Sequence, residues 1–169
     1  MRIRQERKED YPEIRRLVRE AFAAAEHADG GEQDLVDALR RGAAYLPELA
    51  LVAEEDGVLA GHILLTRASV GGDPVLVLAP LSVRPEFQRQ GVGAALMREA
   101  HRIAGALGYD YVLVLGSEDY YPRAGYRPAE ELGVTVPEGF PPANFMALRL
   151  REGAKPLSGG VVYPPEFGL

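Results

Sequence analysis

With 169 residues, 47% hydrophobic and 26% charged, the chain has the size and balance expected of one globular domain over residues 1–169, and it is too apolar to stay disordered. A formal net charge of -6 argues against nucleic acid as a partner, and the lack of cysteine excludes disulfides, thiolate metal sites and acyl transfer through a protein thiol. The chain opens Met1-Arg2-Ile3-Arg4 and has no run of about 18 apolar residues, so neither a secretory leader nor a membrane span is expected, and the expected compartment is the cytoplasm.

A short strand is predicted over residues 2–4. Asp10 is placed to cap a helix on which Ile14, Leu17, Val18, Ala21 and Phe22 recur at the helical period, with Pro12 in its first turn. A loop carrying His27, Asp29, Gly30 and Gly31 leads to a second helix over residues 32–41, stopped by Gly42. Residues 49–54 and 58–70 read as two strands joined by Asp56-Gly57, a strong hairpin signal. Residues 74–83 are apolar at nearly every position, as in a strand covered on both faces.

A loop follows, and then a helix over residues 91–107 with Val92, Leu96, Ile103 and Leu107 on its buried stripe and Gly108 at its C-terminal end. Residues 111–115 form another buried strand. Strand, helix and strand within about 40 residues make a right-handed βαβ unit with parallel strands. Residues 144–150 alternate as a strand able to close the sheet edge, and residues 151–169 are expected to run as an extended tail after a core of about residues 2–150.

The most informative segment is Gln88-Arg89-Gln90-Gly91-Val92-Gly93-Ala94, set between a buried strand and a helix start. Unpaired N–H groups and about half a positive charge at such a start favour phosphate, and glycine lets a ligand approach the backbone. Arg84 and Arg89 are placed to add charge. The same letters also suit an ordinary strand-to-helix turn. Two familiar phosphate loops do not fit: Gly93 is followed by Ala94-Ala95 where a Walker loop needs Lys and Ser or Thr, and Leu96 stands where a dinucleotide fingerprint needs Gly or Ala.

Residues 88–93 do resemble the acetyl-CoA signature of the GNAT superfamily, Gln/Arg-x-x-Gly-x-Gly/Ala, and Tyr120-Tyr121-Pro122-Arg123-Ala124-Gly125-Tyr126 is similar to that family's second signature. Residues 2–150 are covered by the resemblance, and the strand at 145–148 with the tail at 161–167 looks like the family's bacterial YhbS-like branch. The implied fold is α/β (α+β): a mixed, mostly antiparallel sheet of six or seven strands flanked by helices, with a splayed parallel pair forming an acetyl-CoA cleft. Acetyl-CoA is then the implied co-substrate. Leu81, Ser82 and Val83 would pair with the pantetheine arm, and the backbone from Arg89 to Ala94, with Gln88, Gln90, Gly91, Val92 and Gly93, would hold the pyrophosphate. Ser117 and Tyr120 would flank the thioester.

The implied activity is transfer of acetyl to a primary amine of a small molecule or peptide. Aminolysis needs a neutral amine, a polarised carbonyl and a proton for the leaving thiolate. Tyr121 can supply the proton, and the resemblance implies that the Val83 N–H would polarise the carbonyl. Relatives often place a glutamate on the strand before the loop, and here that strand has no carboxylate. Glu26, Glu32, Glu118 and Asp119 therefore stand as alternative bases, and a non-catalytic acyl-CoA sensor is the competing reading. The histidines His27, His62 and His101 lie apart without ligand spacing, so no metal is expected. No membrane partner is expected, and a homodimer is compatible with such a domain.

Overall fold

The computed structural model describes residues 1–23, 25 and 28–169. Its strands are β1 (Arg2–Gln5), β2 (Tyr45–Glu55), β3 (Val58–Val70), β4 (Asp73–Val83), β5 (Tyr111–Leu115), β6 (Arg127–Pro128), β7 (Val134–Thr135), β8 (Phe145–Arg149) and β9 (Gly159–Val162). Its helices are α1 (Tyr11–Phe22), α2 (Glu32–Arg40) and α3 (Val92–Ala106). Seven strands lie in a row, β1-β2-β3-β4-β5-β8-β6. Within that row only β4 and β5 run parallel.

The β2–β3 hairpin follows from its turn. Asp56 (φ 49°) and Gly57 (φ 79°) are both left-handed, as a two-residue turn matched to strand twist requires, and Glu55 pairs with Val58 across it. The sheet is covered on both faces. On one, Leu96, Met97, Ala100 and Ala104 of α3 pack on Leu51, Ile63, Leu65 and Leu76; on the other, Ile14, Leu17 and Val18 of α1 and Val36 and Leu39 of α2 pack on Ala50, Val52 and Leu64. Each fully buried leucine contributes about 1.5–3 kcal/mol of apolar burial. Gly61 of β3 lets α3 settle close: a Cβ there would meet Leu96, Val92 and the Ser82 carbonyl, each at 3.0 Å.

One irregularity shapes the site. Ile63 faces Leu81 while Leu65 faces Leu78, so β4 takes three steps where β3 takes two, a bulge containing Ala79 and Pro80. A bulge bends its strand, and a proline without an N–H suits such a position. Parallel pairing of β4 with β5 covers residues 76–78 opposite 112–114 and stops there, so residues 79–83 of β4 diverge from β5. The splayed parallel pair expected from the sequence is present.

Two expectations are corrected. The C-terminal segment is not merely an extended tail, because β9 pairs with β3 (Ser69 with Val162) and with β7 (Val134 with Gly159). Its Val161, Tyr163 and Phe167 pack on the buried cluster of Val70, Val75, Leu113 and Phe145. Asp10 does stand at the start of α1, but its carboxylate does not cap that helix. It accepts the Arg7 amide (2.7 Å) and pairs with Arg4 (2.7 Å), closing the turn before α1.

Candidate active site

The site is built at the divergent end of β4. Arg84 N–H bonds the Ala60 carbonyl at 2.9 Å, which fixes the alternation along β4. Ser82 therefore turns its amide and carbonyl toward β3, while Leu81 and Val83 turn theirs toward the gap left by β5. The Val83 carbonyl is already used there, accepting the Gln88 side-chain amide at 3.1 Å. Gln90 braces the same loop by donating to the Glu86 carbonyl at 3.0 Å.

Beyond this brace the chain takes two left-handed steps, at Arg89 (φ 62°) and Gly91 (φ 83°), before α3 begins. A left-handed arginine is unusual, and such backbone strain concentrates at ligand clamps. Helical bonding starts only at Ala95 N–H, which bonds the Gly91 carbonyl at 3.0 Å. The six consecutive amides of residues 89–94 consequently have no acceptor among the described residues. A crown of free N–H groups at a helix start is an anion site.

Arg84 does not add its charge to this crown as expected from the sequence. Its guanidinium bonds Glu13 of α1 and lies 3.7 Å from Glu20, tying that helix to the end of β4. Arg89 is exposed and forms no ion pair among the described residues.

Facing the crown is the segment after β5. Ser117 folds this segment back: its carbonyl accepts the Tyr120 and Tyr121 amides (both 3.2 Å) and its Oγ accepts the Asp119 amide (3.2 Å). The Tyr120 hydroxyl reaches Gly93, where any Cβ would collide with it; Val83 Cγ2 lies 3.7 Å from that same Cβ position. The Tyr121 ring lies against Gly116, edge-on to Tyr120 (5.1 Å) and Tyr126 (5.5 Å). Burial raises the Tyr121 phenol above its ordinary value, so its proton is retained at physiological pH. Burial also raises the Tyr120 phenol, against a downward pull from the Arg123 charge. Behind them the Tyr126 hydroxyl meets His101 Nε2 at 2.8 Å, and burial lowers His101 to about 4, keeping it neutral.

Known proteins share this chain's sequence pattern and fold. The acetyltransferase (GNAT) family model matches residues 3–126. The chain belongs to the GNAT family of acetyltransferases. This acetyltransferase is 38% identical over 139 residues to the uncharacterized N-acetyltransferase YjhQ of Escherichia coli K12, covering 79% of this chain and 74% of that one. Its fold is similar to that of a GNAT family acetyltransferase from Brucella melitensis in complex with acetyl-CoA, with a TM-score of 0.82, 33% identity and coverage of 98% and 97% of the two chains. It is also similar to YhbS from Escherichia coli in complex with CoA, with a TM-score of 0.89, 28% identity and coverage of 99% and 92%. Acetyl-CoA is the family's acyl donor, and the residues present fit its diphosphate through the free amides at 89–94.

The acetyltransferase gathers most of the residues singled out from its sequence around one cleft: Leu81 and Val83 on one wall, residues 88–94 at the mouth, and Ser117, Tyr120 and Tyr121 on the other wall. Ser82 differs, since its buried side chain lies on the opposite face from α3 and its Oγ has no partner among the described residues. Glu32 braces the start of α2, accepting the Asp29 amide at 3.0 Å. Glu118 and Asp119 are exposed beside Ser117, and Glu26 lies outside the described residues. No group of metal-ligating side chains occurs among the described residues, and no described helix is long and apolar enough to cross a membrane.

Sequence reasoning missed one polar cluster. Buried Glu6 accepts from Tyr45 (2.6 Å) and Arg40 (2.9 Å) and contacts His62 Nε2 (2.9 Å). Burial alone would raise its carboxyl, but bonds from His62, Arg40 and Tyr45 outweigh that and hold it at about 2. A histidine in the apolar run of β3 was the available signal, because a buried imidazole must find a partner.

Proposed function

We propose that this acetyltransferase, as a single catalytic unit spanning residues 1–169, moves acetyl from acetyl-CoA to a primary amine of a small-molecule or peptide acceptor by direct attack. The observation that carries the reading is the row of six free amides at residues 89–94 facing a protonated tyrosine pair across the splay of β4 and β5. Acetyl-CoA supplies an acyl carbon already activated by sulfur. Free amides at 89–94 hold the diphosphate, and the N–H groups of Leu81 and Val83 hydrogen-bond the arm and polarise the acyl oxygen in the gap. The amine nitrogen forms the new C–N bond and the C–S bond breaks. The departing sulfur takes the Tyr121 proton, and the amine proton leaves to water or to an exposed carboxylate, Glu118 or Asp119.

The test is CoA release measured across a panel of primary amines. Wild type is expected to release CoA faster with at least one amine. Tyr121→Phe is expected to lower kcat by roughly 100-fold, the modest end of general-acid catalysis because a thiolate leaves readily, with KM for acetyl-CoA nearly unchanged. If acetyl-CoA binds and no amine accelerates release, a non-catalytic acyl-CoA sensor replaces the enzyme reading.

A further inference from the structure

A cavity of about 360 Å³ opens along the flank of α3, with Ala94, Met97, Arg98 and His101 on one wall and Tyr120 and Arg123 on the other. Its first residue, Ala94, supplies the last of the six free amides, so the cavity begins where the anion crown ends. Its second turn brings in Arg98, and Arg123 faces it from the segment that also carries Tyr120.

These two arginines are distinguished by what they lack. In a chain of net charge -6, their close neighbours are neutralised: Arg102 pairs with Glu99 (2.5 Å) and Arg127 with Glu131 (2.8 Å). Arg98 and Arg123 are exposed and form no ion pair among the described residues. Two uncompensated guanidinium groups on opposite walls of one groove make a planar, multidentate anion clamp. The Arg123 charge is near enough to Tyr120 to pull its phenol downward, which ties the clamp to the mouth of α3.

Spacing identifies the anion. Arg98 follows Ala94 by one helical turn, about 6 Å along the axis. A ligand filling both sites therefore carries two phosphate centres separated by about one sugar. Coenzyme A has that pattern, with a diphosphate on the ribose 5′ carbon and a monophosphate on the 3′ carbon. Met97 and the Tyr120 ring line the same cavity and give the nucleoside an apolar surface.

We propose that Arg98 and Arg123 clamp the 3′-phosphate of the coenzyme, so that the adenosine end lies along α3 and the enzyme discriminates CoA from dephospho-CoA. The inference rests on the acetyl-CoA reading above. It makes these residues specificity determinants for a part of the coenzyme remote from the chemistry.

The test is calorimetric binding of CoA, dephospho-CoA, adenosine 3′,5′-bisphosphate, 5′-AMP and inorganic phosphate to wild type, Arg98→Gln and Arg123→Gln, with thermal melts as the folding control. Wild type is expected to bind CoA at least tenfold more tightly than dephospho-CoA. Each substitution should weaken CoA by about tenfold, leave dephospho-CoA within about twofold, and leave the melt unchanged. Adenosine 3′,5′-bisphosphate should compete with CoA where 5′-AMP and inorganic phosphate do not. Equal affinity for CoA and dephospho-CoA in wild type, equal weakening of both in the variants, or equal competition by inorganic phosphate overturns the clamp and leaves the acetyl-CoA reading standing. Binding of neither coenzyme overturns both.

Discussion

His101 and Glu6 carry buried ionisable groups whose states fix how folding responds to acid. Burial holds His101 near 4 in the folded chain, against about 6.5 when it is exposed. The unfolded chain therefore takes up a proton first, and stability is lost as pH falls from about 6.5 to about 4, by roughly 3 kcal/mol in all. Glu6 acts at lower pH: its carboxylate, held at about 2, contributes stability that is full above its ordinary value of 4.5 and disappears as pH drops toward about 2. Denaturant melts of His101→Gln against wild type, run at pH 7 and pH 4.5, test the first window. The variant should lose much less stability between those pH values. An unchanged pH dependence would show that the imidazole does not titrate as its burial requires.

At the scale of elements, the contact between α3 and the segment after β5 can be examined with paired substitutions. Gly93→Ala puts a methyl group into the Tyr120 hydroxyl, and overpacking of this kind costs about 1–3 kcal/mol. In the Tyr120→Phe background the nearest atom, ring Cζ, is 3.6 Å away, so the added methyl group is accommodated. Alanine then gains up to about 1 kcal/mol of helix propensity over glycine. The same substitution should thus lower Tm in wild type and raise it in Tyr120→Phe, and a thermal-melt cycle reads the change of sign. Much of this element-level arrangement was legible in the sequence. Turn chemistry gave the Asp56-Gly57 hairpin, and the continuous apolar run gave β4. The glycines of the loop gave the mouth of α3. The β4 bulge was signalled only by Pro80, a residue that sits poorly in a central ladder. Pairing of β9 with β3 was not legible, because it joins residues far apart in sequence through a short Gly-Gly-Val-Val segment without alternation.

At the scale of the whole molecule, the C-terminal segment closes the sheet half that β5 and β8 begin. A Cβ at Gly71 would collide with the Ser158 carbonyl and one at Gly133 with the Leu157 carbonyl, so the segment lies directly on two backbone surfaces. Removing residues 156–169 should uncover Val70, Val75, Val134 and Phe145, cost roughly 3 kcal/mol or more, and increase binding of an apolar dye while the far-ultraviolet signal is mostly kept. Dye binding equal to that of the intact chain would show that this half closes without the segment. The proposed grip on the coenzyme has a different basis. Its donors at 89–94 are main-chain atoms, common to every amino acid but proline, so the recognition there is written in dihedral angles more than in side-chain identities. Exposed positions such as Arg89 and Ala94 are consequently free to drift among residues that keep the local handedness, whereas the achiral residues at 91 and 93 are fixed, the one by a torsion and the other by a neighbouring phenol.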